Sequence, residues 1–196
     1  MIRMGRKPHF ERNDFLQAAL EIVSERGPGS LTIAALAERA KAPVGSVYHR
    51  FFSREALLAE MWITIAESFQ QGFMKALKRD GLEAALYTAT WARSHLNEAR
   101  VLLLYRREDL ISGNRQEDIK ARAEKLARDL EKGLVSFAKN NFGSAGKENL
   151  RRAVFALIDV PLAAVKPHLQ KGEPPPGFLD GFIRRSYAAV MEGDRK

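Results

Sequence analysis

Cysteine is absent from this chain of 196 residues, which removes disulfides, thiolate zinc sites and cysteine nucleophiles together and suits a reducing compartment. No uninterrupted apolar run approaches the roughly 18 residues that a spanning helix needs, and the opening MIRMGRKPHFERND has no apolar h-region. A soluble, cytoplasmic protein is expected. Histidine is scarce: His9, His49, His95 and His168 lie far apart, and none pairs at i,i+4 with another histidine or with a carboxylate in a zinc pattern. No G-x-S-x-G elbow occurs. The run Gly143-Ser144-Ala145-Gly146-Lys147 has the look of a phosphate-loop end, yet Asn141 stands where the first glycine belongs and Glu148 where a hydroxyl should hold magnesium. It reads as a helix-to-helix turn. No catalytic residue, metal site or cofactor is expected.

What remains is a chain with 45% hydrophobic residues, enough for a real core, and a formal net charge of +8. Only the placement of that charge bears on partners. Residues 1–52 hold eight Lys/Arg against five Asp/Glu, residues 53–110 eight against eight, and residues 111–196 sixteen against eleven. The first excess sits mainly in Arg3, Arg6, Lys7 and Arg12, an arm ahead of the first helix that suits phosphate neutralisation or a minor groove; a solvated tail is the alternative. The second is spread over long amphipathic helices and reads as ordinary surface.

The segment Leu31 to Leu58 packs three helix signatures into a span too short for a parallel-sheet unit. Thr32 is placed to N-cap the first, with Leu31 and Leu36 as its hydrophobic staple and Ile33, Leu36, Ala37 and Ala40 on one buried face. The helix stops at Lys41-Ala42-Pro43, because a residue before proline leaves the α region, and Pro43 suits the first position of a second helix running to about Phe51. Val47 and Phe51 point inward, leaving Val44, Gly45, Ser46, Tyr48, His49 and Arg50 for outer and flanking faces. Ser53 caps a third helix, with Phe52 and Leu57 as its staple. This is a helix-turn-helix followed by a further helix.

These residues resemble the DNA-binding region of tetracycline-repressor (TetR) family regulators: an A-A pair (Ala18-Ala19), a glycine (Gly27), T-x-x-x-L-A (Thr32 to Ala37), G-[ST]-x-Y (Gly45 to Tyr48), an aromatic pair (Phe51-Phe52) and S-[KR]-E-x-L-L (Ser53 to Leu58). The match covers roughly the first 60 residues. It departs at Lys41, where most members carry glycine, and at Pro43, where they carry a polar cap. A lysine forced to positive φ would cost about 1 kcal/mol. The resemblance implies an all-α protein of about nine helices: a domain of residues 1–53 that binds double-stranded operator DNA, then a domain of residues 54–196 that dimerises and senses a small organic effector. The expected DNA-binding set is Thr32, Lys41, Val44, Gly45, Ser46, Tyr48, His49, Arg54, Arg6 and Lys7. Tyr48 and His49 would contact phosphates, Arg54 would reach the same backbone, and Val44, Gly45 and Ser46, with Lys41, would face the bases.

Everything outside the turns reads as helix: about His9 to Arg26, Ser53 to about Arg79, Leu82 to about Leu96, Val101 to Ile111, Gln116 to about Lys139, Val154 to Val165, and a final helix after the Pro-rich spacer at 172–177. The stretch Val154 to Val165 carries one charge, Asp159, so it must be covered on both sides. With the last helix it offers Val154, Ile158, Leu162, Val165, Phe178, Phe182 and Ile183 to a four-helix bundle across a two-fold axis; a monomeric core is the other reading. By resemblance an effector pocket lies among Trp62, Tyr87, Trp91, His95, Tyr105 and Phe155, with Asp159 either a polar anchor there or half of a buried pair with Arg93 or Arg106. An aromatic stripe of plain core is the alternative. The expected function is a homodimeric, ligand-responsive repressor released from a palindromic operator by population shift. A helical adaptor that has lost DNA binding and a small helical enzyme are the rivals; the basic arm with Gly45 to Tyr48 argues against the first, and the missing catalytic constellation against the second.

Overall fold

A computed structural model of the chain describes residues 10–111 and 117–192. Among these every regular element is helical, as the missing strand alternation requires. Helix α1 (Arg12–Arg26) starts where Asp14 accepts the Glu11 N–H at 2.8 Å and stops at Gly27, whose φ of 83° is open to glycine and costly for other residues. His9, the expected start, lies outside the described residues. A short 3-10 turn, Pro28–Ser30, leads to α2 (Ile33–Arg39), where Thr32 accepts the Ala35 N–H at 3.0 Å and Leu31 and Leu36 are fully buried. Helix α3 (Val44–Tyr48) is shorter than the sequence suggests. Pro43 is its N-cap in extended backbone and not its first residue, and Phe51 buries itself from the turn after the helix.

Helix α4 (Arg54–Arg79) is capped by Ser53, which accepts the Ala56 N–H at 3.1 Å. The expected staple is wrong here. Leu57 is buried, but Phe52 is 91% exposed, so the aromatic pair splits with Phe51 inward and Phe52 in solvent. Asp80 then ends α4 and caps α5 (Gly81–Ser94) through the Glu83 N–H at 3.0 Å. The segment expected as one helix, Val101 to Ile111, is two pieces, α6 (Leu96–Leu104) and α7 (Arg107–Ile111), separated at Tyr105 in extended backbone. Helix α8 (Glu117–Phe142) runs past Lys139, and the Gly143–Gly146 turn joins it to α9 (Lys147–Val154).

Helix α9 continues through a π-helical turn, Phe155–Asp159, into α10 (Val160–Lys171). Pro161 explains the wide turn: it has no N–H to donate, and its ring would press on the carbonyl four residues back in a regular α-helix. The Val160 N–H reaches the Phe155 carbonyl instead. Gly172 ends α10 at φ 75°, and α11 (Leu179–Glu192) closes the chain that is described. One hydrophobic cluster extends from Phe15 and Phe51 through Leu57, Met61 and Phe73 to Trp91, Leu157, Val165, Leu169 and Ile183, so the core is continuous across residue 53.

Helix α8 is tied to α4 by Arg122, which donates twice to Glu67 at 2.8 and 2.5 Å. The guanidinium holds the Glu67 carboxyl below its ordinary value near 4.5. A carboxyl depressed in the fold adds stability above its unfolded value and loses it as pH falls through the folded one. Replacing Glu67 by Gln should therefore lower the urea midpoint at pH 6 more than at pH 3. A difference that does not shrink with acid would mean the pair contributes nothing through its charge.

Candidate nucleic-acid interface and ligand cavity

The turn between α2 and α3 is set by backbone geometry. Lys41 has φ 51°, and among the described residues no other non-glycine has positive φ. Its N–H bonds to the Glu38 carbonyl at 3.0 Å, and the Ala42 N–H to the Ala37 carbonyl at 2.9 Å, the paired bonds of a Schellman motif. The lysine thus occupies the left-handed position that glycine usually fills, at about 1 kcal/mol. Its side chain is exposed.

Helix α3 buries only Val47. Val44, Gly45, Tyr48 and His49 are exposed, Tyr48 by 58%, and a Cβ added at Gly45 would meet nothing within 4 Å. The short helix therefore stands proud of the body on a seat of buried groups. Phe51 meets Phe15 edge-on at 6.4 Å, and the Arg12 guanidinium lies 4.4 Å over the Phe51 ring. Arg12 also donates to Glu60 at 2.6 and 3.0 Å and to the Arg50 carbonyl at 2.8 Å. It belongs to this seat and not to the basic arm. Arg6 and Lys7 of that arm lie outside the described residues.

Arg54 is also engaged within the fold. Its guanidinium donates to the carbonyls of Leu31 and Pro28, bracing the approach to α2. Thr32 spends its oxygen lone pair on Ala35 but keeps its hydroxyl proton. Arg39 is held by Glu21 at 2.9 Å and Glu25 at 2.9 Å, which pushes its pKa further up and the Glu25 carboxyl down.

The residues expected to share one effector pocket are only partly gathered: Tyr87 and Trp91 both meet Phe69, at 5.5 and 4.8 Å, while Trp62, Tyr105, Phe155 and Asp159 lie apart. Trp62 packs with the α4–α8 pair Ile63 and Ile119. Tyr87 meets Phe69 at 5.5 Å with its hydroxyl against Gly72, where an added Cβ would lie 1.8 Å away. Tyr105 sits beneath Gly27 at the end of α1. Phe155 is 43% exposed, turned outward by the π-helical turn. Asp159 pairs with Arg151 at 2.9 Å on the surface, while Arg93 pairs with Asp180 and Arg106 with Glu108. A charged partner two turns back along the same continuous helix satisfies Asp159 without any buried pair.

Trp91 and His95 do stay together, stacked at 5.3 Å, and both line a cavity of about 180 Å³ bounded by α1, α4, α5 and α6. Leu16, Gln17, Leu20, Met61, Thr64, Ile65, Ser68 and Glu98 complete it. Sequence spacing misses these, because α1 reads as part of the DNA-binding unit alone. A much larger open groove, about 1480 Å³, lies between α4 and α8.

Two of the expected interface residues, Val165 and Ile183, are fully buried in the core of one chain and are removed from that surface. Val154, Ile158 and Leu162 are half-buried, and Phe178 and Phe182 are 63% and 52% exposed and meet edge-on at 5.7 Å. Among the described residues no helix is long and apolar enough to cross a membrane, and no cluster of His, Asp or Glu suits a metal ion.

Replacing Lys41 by Gly should separate stability from binding. Relief of the left-handed strain, less the extra freedom of glycine in the unfolded chain, should leave stability equal or up to about 1 kcal/mol higher. Duplex affinity should fall, because a cation leaves the α2–α3 turn. A lower melting temperature would contradict the strain argument.

Residues 15–61 match the family model described as bacterial regulatory proteins, tetR family. Comparison with curated protein sequences gave no match. The fold is similar to that of a putative tetR family transcription regulator from Shewanella sp. PV-4, with 17% identity, TM-score 0.67 and coverage of 94% of this chain and 97% of that one. It is also similar to the fatty acid degradation regulator FadR from Bacillus halodurans, with 11% identity, TM-score 0.65 and coverage of 97% and 99%. The transcriptional regulator FadR from Bacillus subtilis, in complex with stearoyl-CoA, aligns at 12% identity and TM-score 0.61 over 93% and 99%. At these identities the likeness is one of fold.

Proposed function

We propose, for a chain whose residues 15–61 belong to the tetR family of bacterial regulatory proteins and whose fold is that of tetR-family regulators, that it is a homodimeric repressor released from a palindromic operator by a small organic effector. Members of the family are transcription regulators and not enzymes. The observation that carries the reading is α3: a helix with one buried side chain, an open Gly45, and Tyr48 and His49 outward, clamped from beneath by Arg12, Phe15 and Phe51. Residues 1–53 bind DNA and residues 54–196 dimerise and sense the effector. Val44, Gly45 and Ser46 face the bases, while Tyr48, His49, Thr32 and Lys41 position the backbone. Arg6 and Lys7 add phosphate charge.

Dimerisation uses the surface that carries Phe155, Phe178 and Phe182 with half-buried Val154, Ile158 and Leu162, packing the π-interrupted helix and α11 of each protomer into a four-helix bundle. The effector acts by differential affinity for dimers whose α3 helices are spaced rightly or wrongly for successive major grooves.

Selection of bound fragments from random duplex DNA tests the reading directly. Affinity for the selected site should fall as salt rises, and Tyr48→Ala should weaken selected and unselected duplexes alike. Failure to bind any duplex would favour the adaptor. Phe178→Glu with Phe182→Glu should give folded monomers by light scattering, since both rings are exposed in the single chain, and should abolish operator binding. A wild type that is monomeric at micromolar concentration would overturn the dimer.

A further inference from the structure

The cavity of about 180 Å³ between α1, α4, α5 and α6 combines two properties. Its lining is mixed. Leu16, Leu20, Met61 and Ile65 are apolar, Trp91 forms one wall, and Gln17, Thr64 and Ser68 supply neutral hydrogen-bonding groups. Glu98 brings the one formal charge, and no lysine or arginine lines the space. Its position is equally specific. Helix α1 forms one wall and also carries Phe15, which seats Phe51 just after α3.

The size selects the ligand: a cavity of about 150 Å³ admits a single benzene ring. The charge selects its sign. A carboxylate with no lysine or arginine in its own cavity attracts a cation through charge-assisted hydrogen bonding. An anion would meet Glu98 without compensation.

We infer that this cavity binds a small organic cation with one flat ring, its charge on Glu98 and its ring beside Trp91, and that its occupancy shifts α1 against α4 and so regulates α3. The inference rests on the proposed repressor function for its regulatory half; the chemistry of the site does not depend on it. His95, exposed and stacked on Trp91 at the α5–α6 junction, closes one side. The wider α4–α8 groove is lined by both signs of charge, Lys75, Lys78 and Lys132 together with Glu67, Asp80 and Asp129.

The test uses the full chain with Trp62→Phe, so that fluorescence reports Trp91 alone, and three probes of one shape: benzamidinium (cationic), benzamide (neutral) and benzoate (anionic). Benzamidinium should quench Trp91 saturably with an affinity of about millimolar or tighter, as nine heavy atoms allow. Benzamide and benzoate should bind about tenfold more weakly. Glu98→Gln should cost benzamidinium about tenfold, the value of one charge-assisted hydrogen bond, and leave benzamide unchanged. Glu98→Asp keeps the charge and should retain most of the preference, which guards against a fold defect in the amide variant; circular dichroism reports the fold of each. Ser68→Leu should fill the space and exclude all three. Equal affinity for benzamidinium and benzamide, or a folded Glu98→Gln with undiminished preference, overturns the site.

Operator release is scored separately on the selected duplex. Release at the concentrations that quench Trp91 supports the regulatory half, and saturation of the cavity with DNA still bound overturns it. A cation site that obeys these rules in a chain that binds no duplex would overturn the repressor and keep the site, whereas duplex binding without the site would do the reverse.

Discussion

The constraint on which the structure depends is that α4 serves two packings at once. Its first turns close the helix-turn-helix: Leu57 and Met61 share a cluster with Phe15 and Phe51, and Glu60 takes the Arg12 guanidinium. Its later turns carry Phe73 and Ala76 into the body core and give Glu67 to Arg122 of α8. A helix of 26 residues with its backbone bonds made bends little, so a displacement at its far end has to appear at its first turn. The DNA-binding unit is therefore seated on the body by continuous burial, and not hung from it by a linker. Arg54 adds a second attachment from the same turn, gripping two carbonyls on the approach to α2.

A second constraint is the wide turn at Phe155–Asp159. A regular helix would force the Pro161 ring against a carbonyl; the π-helical turn removes that conflict and advances the phase of α10. Leu157, Val165 and Leu169 then face the core, while Phe155 faces solvent. An apolar stretch that looks uniform in one dimension is in fact sorted into a core side and a phenylalanine side. The Phe178–Phe182 pair is exposed as well, and large apolar groups left in solvent together mark a surface for interaction.

The features legible in the sequence are local. Thr32 and Ser53 cap their helices, Leu31 and Leu36 are buried, and the breaks at Gly27 and Asp80 fall where glycine and aspartate signal them. Each depends on residues within a turn or so. Several of the misses depend on what surrounds a residue in space. Phe52 has the spacing of a staple but no neighbour to receive it, Val165 and Ile183 fit an interface pattern yet complete their own core, and the Arg54 acceptors lie 23 and 26 residues back. The aromatic residues of the body are as numerous as their count implies, but periodicity cannot say which of two neighbouring helices a ring meets. Tyr87, Trp91 and His95, spaced a turn apart, keep the proximity that spacing implies, Tyr87 and Trp91 through a shared contact with Phe69.

The distribution of arginines changes how the positive charge should be understood. In the described part of the first 54 residues, Arg12 is clamped to Glu60, Arg39 to Glu21 and Glu25, and Arg54 to two carbonyls, while Arg50 leans 5.9 Å from the Phe15 ring. Arg12 belongs to the seat under α3, while Arg39 ties α2 to α1 and Arg54 braces the approach to α2. The face proposed for a duplex carries Lys41, with side-chain hydrogen-bonding groups at Thr32, Tyr48 and His49. Such a face can fix register through hydrogen bonds to phosphate, yet it releases few counterions by itself, because each neutralised phosphate contributes about 0.9 to the salt slope. In the proposed reading, steep salt dependence is the part of Arg3, Arg6 and Lys7, and discrimination among sequences that of Val44, Gly45 and Ser46 and of the shape of the groove they enter. Affinity and specificity are thus assigned to different segments of the same small unit.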